Sequence, residues 1–242
     1  MNPKILILLL ILFSVNELCS AQESSKGFVS INAGIGIPMG EFGKGYVKTG
    51  LNLNLSFAIP LNPNFGLGIK IGRDASPFDK ERFLNDSKSP GLDNITYTLK
   101  MYADENSVTR TYFTGGIFAF IPFQKFSLDI GALIGYATHS YPEVIIDYKN
   151  FTTGDYGFED NYVKLENTFA YDLCLGIRYS FTDKFCGNLN FDFVHTSPES
   201  SGSYRHYSYT NVNNIYEYEF SGSNMPISIF SITAGVGYQF GK

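Results

Sequence analysis

The chain of 242 residues combines 44% hydrophobic residues with only 17% charged residues, and it is rich in aromatic residues (16%) and glycine. Soluble domains carry about 25% charged residues, so this composition is unusual for a protein that folds in water. The only long apolar run lies at the N-terminus, which excludes a membrane protein built from several helical spans. A formal net charge of −5 argues against nucleic acid as the main partner.

The first segment, residues 1–21, has the features of a cleaved export signal. Lys4 supplies a positive charge ahead of an apolar stretch, and small residues stand near the end of the segment. We therefore predict cleavage between Ala21 and Gln22, which leaves a mature domain over 22–242. One alternative is an uncleaved membrane anchor, but the apolar stretch is too short to span about 30 Å of hydrocarbon comfortably. The other is a lipoprotein lipidated at Cys19, which the preceding Asn16-Glu17-Leu18 fits poorly.

Eight segments of the mature chain alternate large apolar residues with small or polar ones, which is the period of a strand with two unlike faces. Segment 51–59 shows this most clearly, whereas 111–121 is apolar on both faces and its orientation stays open. Each segment has about the length that a tilted strand needs to cross a membrane. The predicted strands cover residues 28–37, 51–59, 65–72, 111–121, 126–136, 169–181, 185–194 and 227–240.

The charged residues of these segments all fall on the small, polar face. An Arg or Lys that faced lipid at mid-depth would cost roughly 2–4 kcal/mol, so we predict that the apolar face meets lipid. A soluble barrel with an apolar interior is the alternative, but its wet face would be dense in Lys and Glu rather than Gly, Ser and Asn. We expect the lumen charges to pair with one another, because charges at such depth need partners. They are Lys70, Asp129, Asp172, Arg178 and Asp192.

The predicted connectors alternate between long and short along the chain. Outer-membrane barrels have short periplasmic turns and longer extracellular loops, which produces this alternation. The sequence thus predicts an all-β fold, a closed antiparallel eight-stranded transmembrane β-barrel with long extracellular loops. A ten-stranded barrel stays open, because the alternation over 216–220 suggests a further hairpin above the membrane. The long connectors are 38–50, 73–110, 137–168 and 195–226, and the short ones are 60–64, 122–125 and 182–184.

These features together resemble a known family, the porin-like "outer membrane protein β-barrel domain" type of small barrel. The resemblance rests on the export signal, the eight alternating segments and a last strand that ends in an aromatic residue. It implies location in the cell outer membrane, outer-membrane lipid as the surrounding partner, and handling by the barrel-assembly machinery. The residues that resemble an assembly signal are Ala234, Val236, Tyr238 and Phe240.

Eight strands enclose an interior that side chains fill, which disfavours a general diffusion porin. The expected role is structural or surface interaction: adhesion, envelope integrity, or docking of an extracellular partner through loops 73–110, 137–168 and 195–226. These loops are acidic and rich in tyrosine, which suits partner contact but also an interfacial aromatic girdle or a folded loop. A narrow solute or ion conduit is an alternative. We expect a monomer without cofactor or metal site, although acidic loops leave Ca²⁺ binding open.

A catalytic alternative rests on three residues at the outer end of the seventh predicted strand: His195, Ser197 and Glu199. By parity, His195 and Ser197 face the outer leaflet. A serine nucleophile needs a histidine base and an acid to orient it, and this spacing resembles the His-x-Ser of outer-membrane lipid A deacylases. Those enzymes have Asn after the serine, where this chain has Pro198. An outer-leaflet lipid-modifying enzyme is therefore the less favoured hypothesis.

Two cysteines, Cys174 and Cys186, remain after the predicted cleavage. If the short turn 182–184 joins neighbouring strands in register, the two residues lie about 20 Å apart along the strand direction. A disulfide requires Cα atoms within about 7 Å. We predict two free thiols in the lumen.

Overall fold

A computed structural model describes residues 26–87, 95–101, 106–210 and 216–241. The predicted signal segment and the Ala21–Gln22 cleavage site lie outside the described residues. Within the described ranges, no helix has both the length and the apolar character needed to span a bilayer. In chain order the elements are β1 (Gly27–Met39), α1 (Gly40–Lys44), β2 (Gly50–Pro60), β3 (Phe65–Pro77), α2 (Lys80–Ser87), β4 (Ile95–Met101), β5 (Ser107–Phe123), β6 (Phe126–Ser140), β7 (Val144–Asn150), β8 (Tyr156–Leu165), β9 (Thr168–Ser180), β10 (Phe185–Thr196), β11 (Glu199–Ser208), β12 (Tyr216–Asn224) and β13 (Ile227–Phe240).

Eight of these strands close into a barrel in the order β1-β13-β10-β9-β6-β5-β3-β2. Every neighbouring pair is antiparallel, and the first and last strands close the cylinder over their whole length, from Gly27 opposite Phe240 to Met39 opposite Ser228. Closure leaves no strand edge open inside the bilayer, where an unpaired backbone group would lack a hydrogen-bond partner. The predicted fold class and strand number are confirmed.

The outer face of the barrel is apolar and the lumen is polar. Ile31 and Leu51 point outward with 63% and 67% of their surface exposed, while Asp172 and Asp192 in the lumen are fully buried. This is the reverse of a soluble protein, and it identifies the surrounding medium as lipid. The structure is therefore a transmembrane β-barrel, as the one-sided distribution of charges predicts.

Strand β5, whose orientation was left open, turns three aromatic side chains into the lumen. Tyr112, Phe118 and Phe120 are almost fully buried there. Three inward positions of the neighbouring strand β3 are glycines, and an added Cβ at Gly68 or Gly72 would collide with the ring of Phe118 or Tyr112. The glycines of one strand thus make room for the aromatic rings of the next.

Several barrel strands extend farther at the long-connector end than the alternation predicts. β3 continues to Pro77 rather than ending at 72, and β5 begins at Ser107 rather than at 111. The predicted bounds were wrong because they followed the apolar side chains. The hydrogen-bonded ladder continues past the apolar belt, since pairing of the backbone does not depend on what the outward side chains contact.

Three of the long connectors, in which the sequence predicts a hairpin only near 216–220, are largely folded into strands. They contain strands of a second sheet with the order β12-β11-β8-β7-β4, which we call the distal sheet. The hairpin expected near 216–220 exists as the β11–β12 pair, but it belongs to this sheet rather than to a ten-stranded barrel. The alternation fails as a guide here because both faces of the distal sheet carry polar and aromatic residues.

Two apolar clusters join the distal sheet to the mouth of the barrel. At the mouth, Phe42 of α1 packs with Val108, Ile227 and Ile229 from the ends of barrel strands and with Leu165 at the end of β8. A second cluster contains Phe78, Val144 and Ile146, against which Phe83 and Leu84 of α2 pack. The long-connector end of the barrel is therefore covered by packed side chains.

Candidate functional site

The centre of the lumen holds one ammonium group against two carboxylates. Lys70 Nζ lies 2.6 Å from Asp192 Oδ1 and 3.0 Å from Asp172 Oδ2, and all three side chains are almost completely buried. β3 carries the lysine, whereas the two aspartates lie on the adjacent strands β9 and β10 across the lumen. These contacts tie opposite walls of the barrel together, because the three residues come from strands distant in the barrel order.

At the turn end of the barrel, Arg178 is held by a carboxylate and two aromatic rings. Its Nε lies 3.0 Å from Asp129 Oδ2, and its guanidinium stands 4.4 Å from the centre of the Phe28 ring and 5.9 Å from that of Phe120. The guanidinium also donates to the backbone oxygen of Lys26. A planar cation can bind a carboxylate edge-on and an aromatic ring face-on at the same time, which arginine does better than lysine.

A third buried ion pair, nearer the long-connector end, was missed by the sequence analysis. Arg110 donates from Nε and Nη2 to Asp74 Oδ2 at 3.0 and 2.7 Å, and Asn52 donates to the other oxygen of Asp74 at 2.6 Å. Both residues of the pair fell in a predicted loop, since the predicted strands stopped at 72 and began at 111. Continuing the period of two by one more step on β3 would have placed Asp74 in the lumen with Lys70. The open orientation of 111–121 gave no such guide for Arg110.

Between these layers, little free space remains in the lumen. A cavity between the Lys70 and Arg178 layers has a volume of about 20 Å³, which is room for roughly one water molecule. Its lining includes Lys70, Asp129 and Asp192 from two of the ion-pair layers and the ring of Phe118. This geometry favours a lumen that serves as a packed polar core over the alternative of a conduit.

The two cysteines are both free and buried. Cys174 is opposite Asp192, and Cys186 is opposite Ser180, as the predicted register has it. Six residues of β10 therefore separate the levels of the two thiols, and the prediction of free thiols is confirmed for the described residues.

The residues of the catalytic alternative do not contact one another as a triad. The Nδ1 atom of His195 is 2.8 Å from Ser228 Oγ on the neighbouring strand, and its ring stacks on Tyr171. Ser197 and Glu199 are exposed, and no hydrogen bond joins His195 to either of them within the described part of the chain. A His–Ser contact without an orienting carboxylate lacks the third member that activates a serine nucleophile.

The predicted assembly-signal residues lie on the last barrel strand. Ala234, Val236 and Tyr238 point outward, and the Phe240 ring stacks on Phe57 with ring centres 5.6 Å apart. A signal that acts during biogenesis remains a prediction for these four residues.

The distal sheet carries a stack of aromatic rings on the face that also holds Val144 and Ile146. His206 is buried between Tyr148 and Tyr216, with ring centres 5.3 and 4.8 Å apart and planes within 14° of parallel. Its Nδ1 lies 3.4 Å from Glu159 Oε1. Burial raises the pKa of the neighbouring Tyr204 well above its usual range, and the carboxylate of Glu159 acts in the same direction. Tyr204 therefore stays neutral over the physiological range.

The far end of the distal sheet, where β7 ends and β8 begins, has a pocket of about 560 Å³ on the opposite face. Two stacked tyrosines, Tyr156 and Tyr209, form part of its wall with ring centres 5.2 Å apart. Lys149 holds its ammonium 5.1 Å from the ring centre of Phe151. The complete lining is Thr96, Thr98, Asp147, Tyr148, Lys149, Phe151, Tyr156, Gly157 and Tyr209.

Hydrogen bonds fix the segments that carry these rings. Asp155 accepts hydrogen bonds from the hydroxyls of Ser208 and Thr210, the two neighbours of Tyr209. Those bonds, the one from Ser208 first, hold the pKa of Asp155 below its ordinary value. Asn150 accepts from the backbone of Thr152 and Thr153 in the turn that follows β7. These bonds fix the wall of the pocket.

The fold and the filled lumen define a small β-barrel membrane protein of the outer-membrane type with a folded sheet at its long-connector end.

No protein-family model matches the chain, and no curated protein matches it either. Among solved structures, it is similar to Neisserial surface protein A at 10% identity, with 90% of this chain and 100% of that chain covered and a TM-score of 0.49. It is also similar to the outer membrane protein OprG from Pseudomonas aeruginosa, at 12% identity, 90% and 98% coverage and a TM-score of 0.49. The attachment invasion locus protein Ail of Yersinia pestis matches at 13% identity, 89% and 100% coverage and a TM-score of 0.42.

Proposed function

We propose that the protein is a surface-interaction protein of the outer membrane, in which the barrel is the anchor and the distal sheet makes the contacts. The observation that carries this proposal is the contrast between a filled lumen and an ordered five-stranded sheet beyond it. Loops 73–110, 137–168 and 195–226, which we predicted to dock a partner, contain the strands of this sheet. A long connector that folds into a sheet presents a defined surface rather than a flexible one.

The proposal includes the steps that bring the barrel to its membrane. Export through the signal 1–21, assembly through the terminal strand with Ala234, Val236, Tyr238 and Phe240, and a monomer surrounded by outer-membrane lipid are all parts of it. Long connectors lie outside the cell in barrels of this class, which supports a distal sheet at the cell surface.

The test removes the distal sheet and keeps the barrel. In the sheetless variant, short turns replace residues 79–105, 142–166 and 198–225, so that the eight barrel strands remain. We expect this variant to reach the outer membrane and to show the heat-dependent gel mobility of a folded barrel, because the three lumen ion pairs are intact. Cells that carry it should lose the attachment to surfaces and other cells that the full-length protein confers.

Two outcomes would contradict the proposal. If the sheetless variant restores the detergent resistance and the attachment of a deletion strain as well as the full-length protein does, the role lies in the barrel and is one of envelope integrity. If the full-length protein shows stable single-channel conductance in planar bilayers, the lumen is a conduit. Neither result is compatible with a filled barrel that serves only as an anchor.

A further inference from the structure

We infer that the pocket at the far end of the distal sheet binds a neutral saccharide, an inference that rests on the proposed surface-interaction role. The pocket's volume of about 560 Å³ lies within the range of roughly 300–1,000 Å³ that small-molecule sites occupy. Its lining combines aromatic rings with hydroxyl groups, one carboxylate and one ammonium group. The chemistry of these groups and their position identify the class of ligand.

The exposed aromatic rings are the first part of this inference. Phe151, Tyr156 and Tyr209 are each about half exposed or more at the pocket, and the last two are stacked on each other. Aromatic rings present a negative face, and the C–H groups of a sugar ring form an apolar, slightly positive face that packs on it. Water solvates such ring faces poorly, so covering them with a sugar is favourable.

The polar groups around the rings match the hydroxyls of a sugar. Thr96 and Thr98 on β4 and Asp147 on β7 lie side by side at one wall of the pocket, where they offer hydroxyl and carboxylate oxygens. Sugar hydroxyls donate and accept at the same time, so side chains that can do both, or that accept two bonds, suit them. One acidic and one basic side chain leave the pocket without net charge, which favours a neutral ligand over a strongly anionic or cationic one.

An aromatic girdle at the membrane surface does not explain these rings. The pocket is at the end of the sheet remote from the barrel, and β8 runs for 10 residues from Tyr156 to Leu165 before β9 enters the barrel. Ten residues of strand span about 30 Å, whereas the interfacial zone on one side of a bilayer is only about 5–8 Å thick. The rings therefore lie farther from the barrel than the residues of an interfacial girdle do.

The order of the pocket wall favours a ligand of modest size that binds without rearrangement. Tyr209 is held on both sides by the bonds of Ser208 and Thr210 to Asp155, and its backbone N–H donates to the oxygen of Tyr156 at 2.9 Å. Binding to rings that are already fixed loses less conformational entropy than binding to mobile ones. This saving in conformational entropy compensates for the small contact that a single sugar makes with the pocket wall.

The test uses the full-length protein in nanodiscs and its tyrosine emission, since the chain contains no Trp. The probes are neutral glucose, galactose and mannose oligosaccharides, with heparin as the anionic comparison and a library of extended peptides as the alternative ligand class. We expect at least one neutral oligosaccharide to bind, and Tyr209→Ala to weaken its binding about tenfold, the effect of losing one aromatic stacking contact. Tyr209→Phe retains the ring face and should retain binding.

The matched control is Tyr218→Ala. Tyr218 is on the same sheet and is 55% exposed, against 54% for Tyr209, but it is outside the pocket. We expect this variant to bind like the full-length protein. Equal weakening by Tyr209→Ala and Tyr218→Ala would overturn the site, and failure of every neutral oligosaccharide to bind, or binding of heparin or a peptide in its place, would overturn the ligand class. These failures are distinguishable from failure of the proposed function, because loss of attachment by the sheetless variant is measured separately.

Discussion

The barrel and the distal sheet are built from the same kind of antiparallel strand, but they bury opposite kinds of side chain. In the barrel, aliphatic residues face outward and the fully buried positions include Asp172, Asp192 and Arg110. In the distal sheet, Val144 and Ile146 are buried, while Arg205 and Glu217 lie on the exposed face. A strand thus does not determine which of its faces is hidden; the medium around it does.

The same difference changes how much stability is lost when an ion pair is broken. Lys70 and Asp192 in the lumen have no solvent to return to, so breaking that contact leaves a charge in a medium of low dielectric constant. Arg205 and Glu217 on the distal sheet are 2.8 Å apart but about half exposed, and water replaces the contact when it is lost. The comparison between the two regions can therefore be tested one pair at a time.

The largest effect is expected when Lys70 is removed. Lys70→Met leaves Asp172 and Asp192 buried without their shared cation, which should destabilise the barrel by about 3–5 kcal/mol. Urea unfolding in detergent micelles, followed by heat-dependent gel mobility, measures the change. The matched control Arg205→Met breaks an exposed pair and should cost less than about 1 kcal/mol.

A rescue variant decides whether charge is the cause of that loss. Adding Asp172→Asn and Asp192→Asn to Lys70→Met removes the uncompensated charges, and most of the stability should return. If the triple variant is as unstable as Lys70→Met alone, lost packing rather than buried charge is responsible, and the contrast between lumen and distal sheet does not hold.

The second effect concerns the glycines that receive the aromatic rings of β5. An alanine Cβ at Gly68 would meet the ring of Phe118 and would lie 2.7 Å from the backbone oxygen of Phe57, which has little freedom to move. Overpacking of this kind costs about 1–3 kcal/mol. At Gly115 in the same wall, the nearest atom to an added Cβ is at 3.5 Å, an ordinary contact, so Gly115→Ala should be close to neutral. Equal losses of stability in the two variants would show that lumen packing does not explain the effect.

The sequence predicts the barrel well because a lipid-facing strand must keep charges off one face. That rule places Lys70, Asp129 and Arg178 in the lumen. The alternating segments give the strand number, and the short turn 182–184 gives the register of β9 with β10. The rule does not apply to Asp74 and Arg110. They lie in the lumen beyond the apolar belt, where outward residues no longer need to be apolar. The apolar–polar alternation therefore becomes weaker where a strand passes out of the lipid.

Most of the distal sheet, by contrast, was not predictable from alternation, which indicated only the hairpin near 216–220. In β8, one face carries Phe158, Asp160 and Tyr162 and the other carries Glu159 and Asn161, so both faces are polar and neither is recognisably the buried one. Two of the sheet's pairings join segments distant in sequence, as the contact of Tyr148 with His206 and the pairing of Thr98 with Asp147 show. The pocket between its strands therefore becomes visible only when the strands are brought together.

The third effect lies within the distal sheet. His206→Ala removes the ring between Tyr148 and Tyr216, and each lost aromatic contact should cost about 0.5–1.5 kcal/mol. Amide hydrogen exchange should accelerate in β8, β11 and β12 but not in the barrel strands, because the two sheets have separate hydrogen-bonded ladders. If the barrel strands lose protection as well, the two regions unfold as one unit, and they cannot be treated as anchor and attached sheet.

The smallest effect is a change with pH at the end of the distal sheet. The hydroxyls of Ser208 and Thr210 hold the pKa of Asp155 below its ordinary value of 3.8, so the folded state binds its proton less readily than the unfolded state does. The resulting stabilisation is fully present above pH 3.8, and it is lost as the pH falls through the lowered pKa of the folded state. Carbon NMR of the Asp155 carboxyl in nanodiscs should show a midpoint below 3.8, and Ser208→Ala should move it upward, because that variant removes the donor with the largest influence. A midpoint that stays the same in Ser208→Ala would mean that the hydroxyl does not hold this corner of the sheet, and the order of the pocket wall would then need another origin.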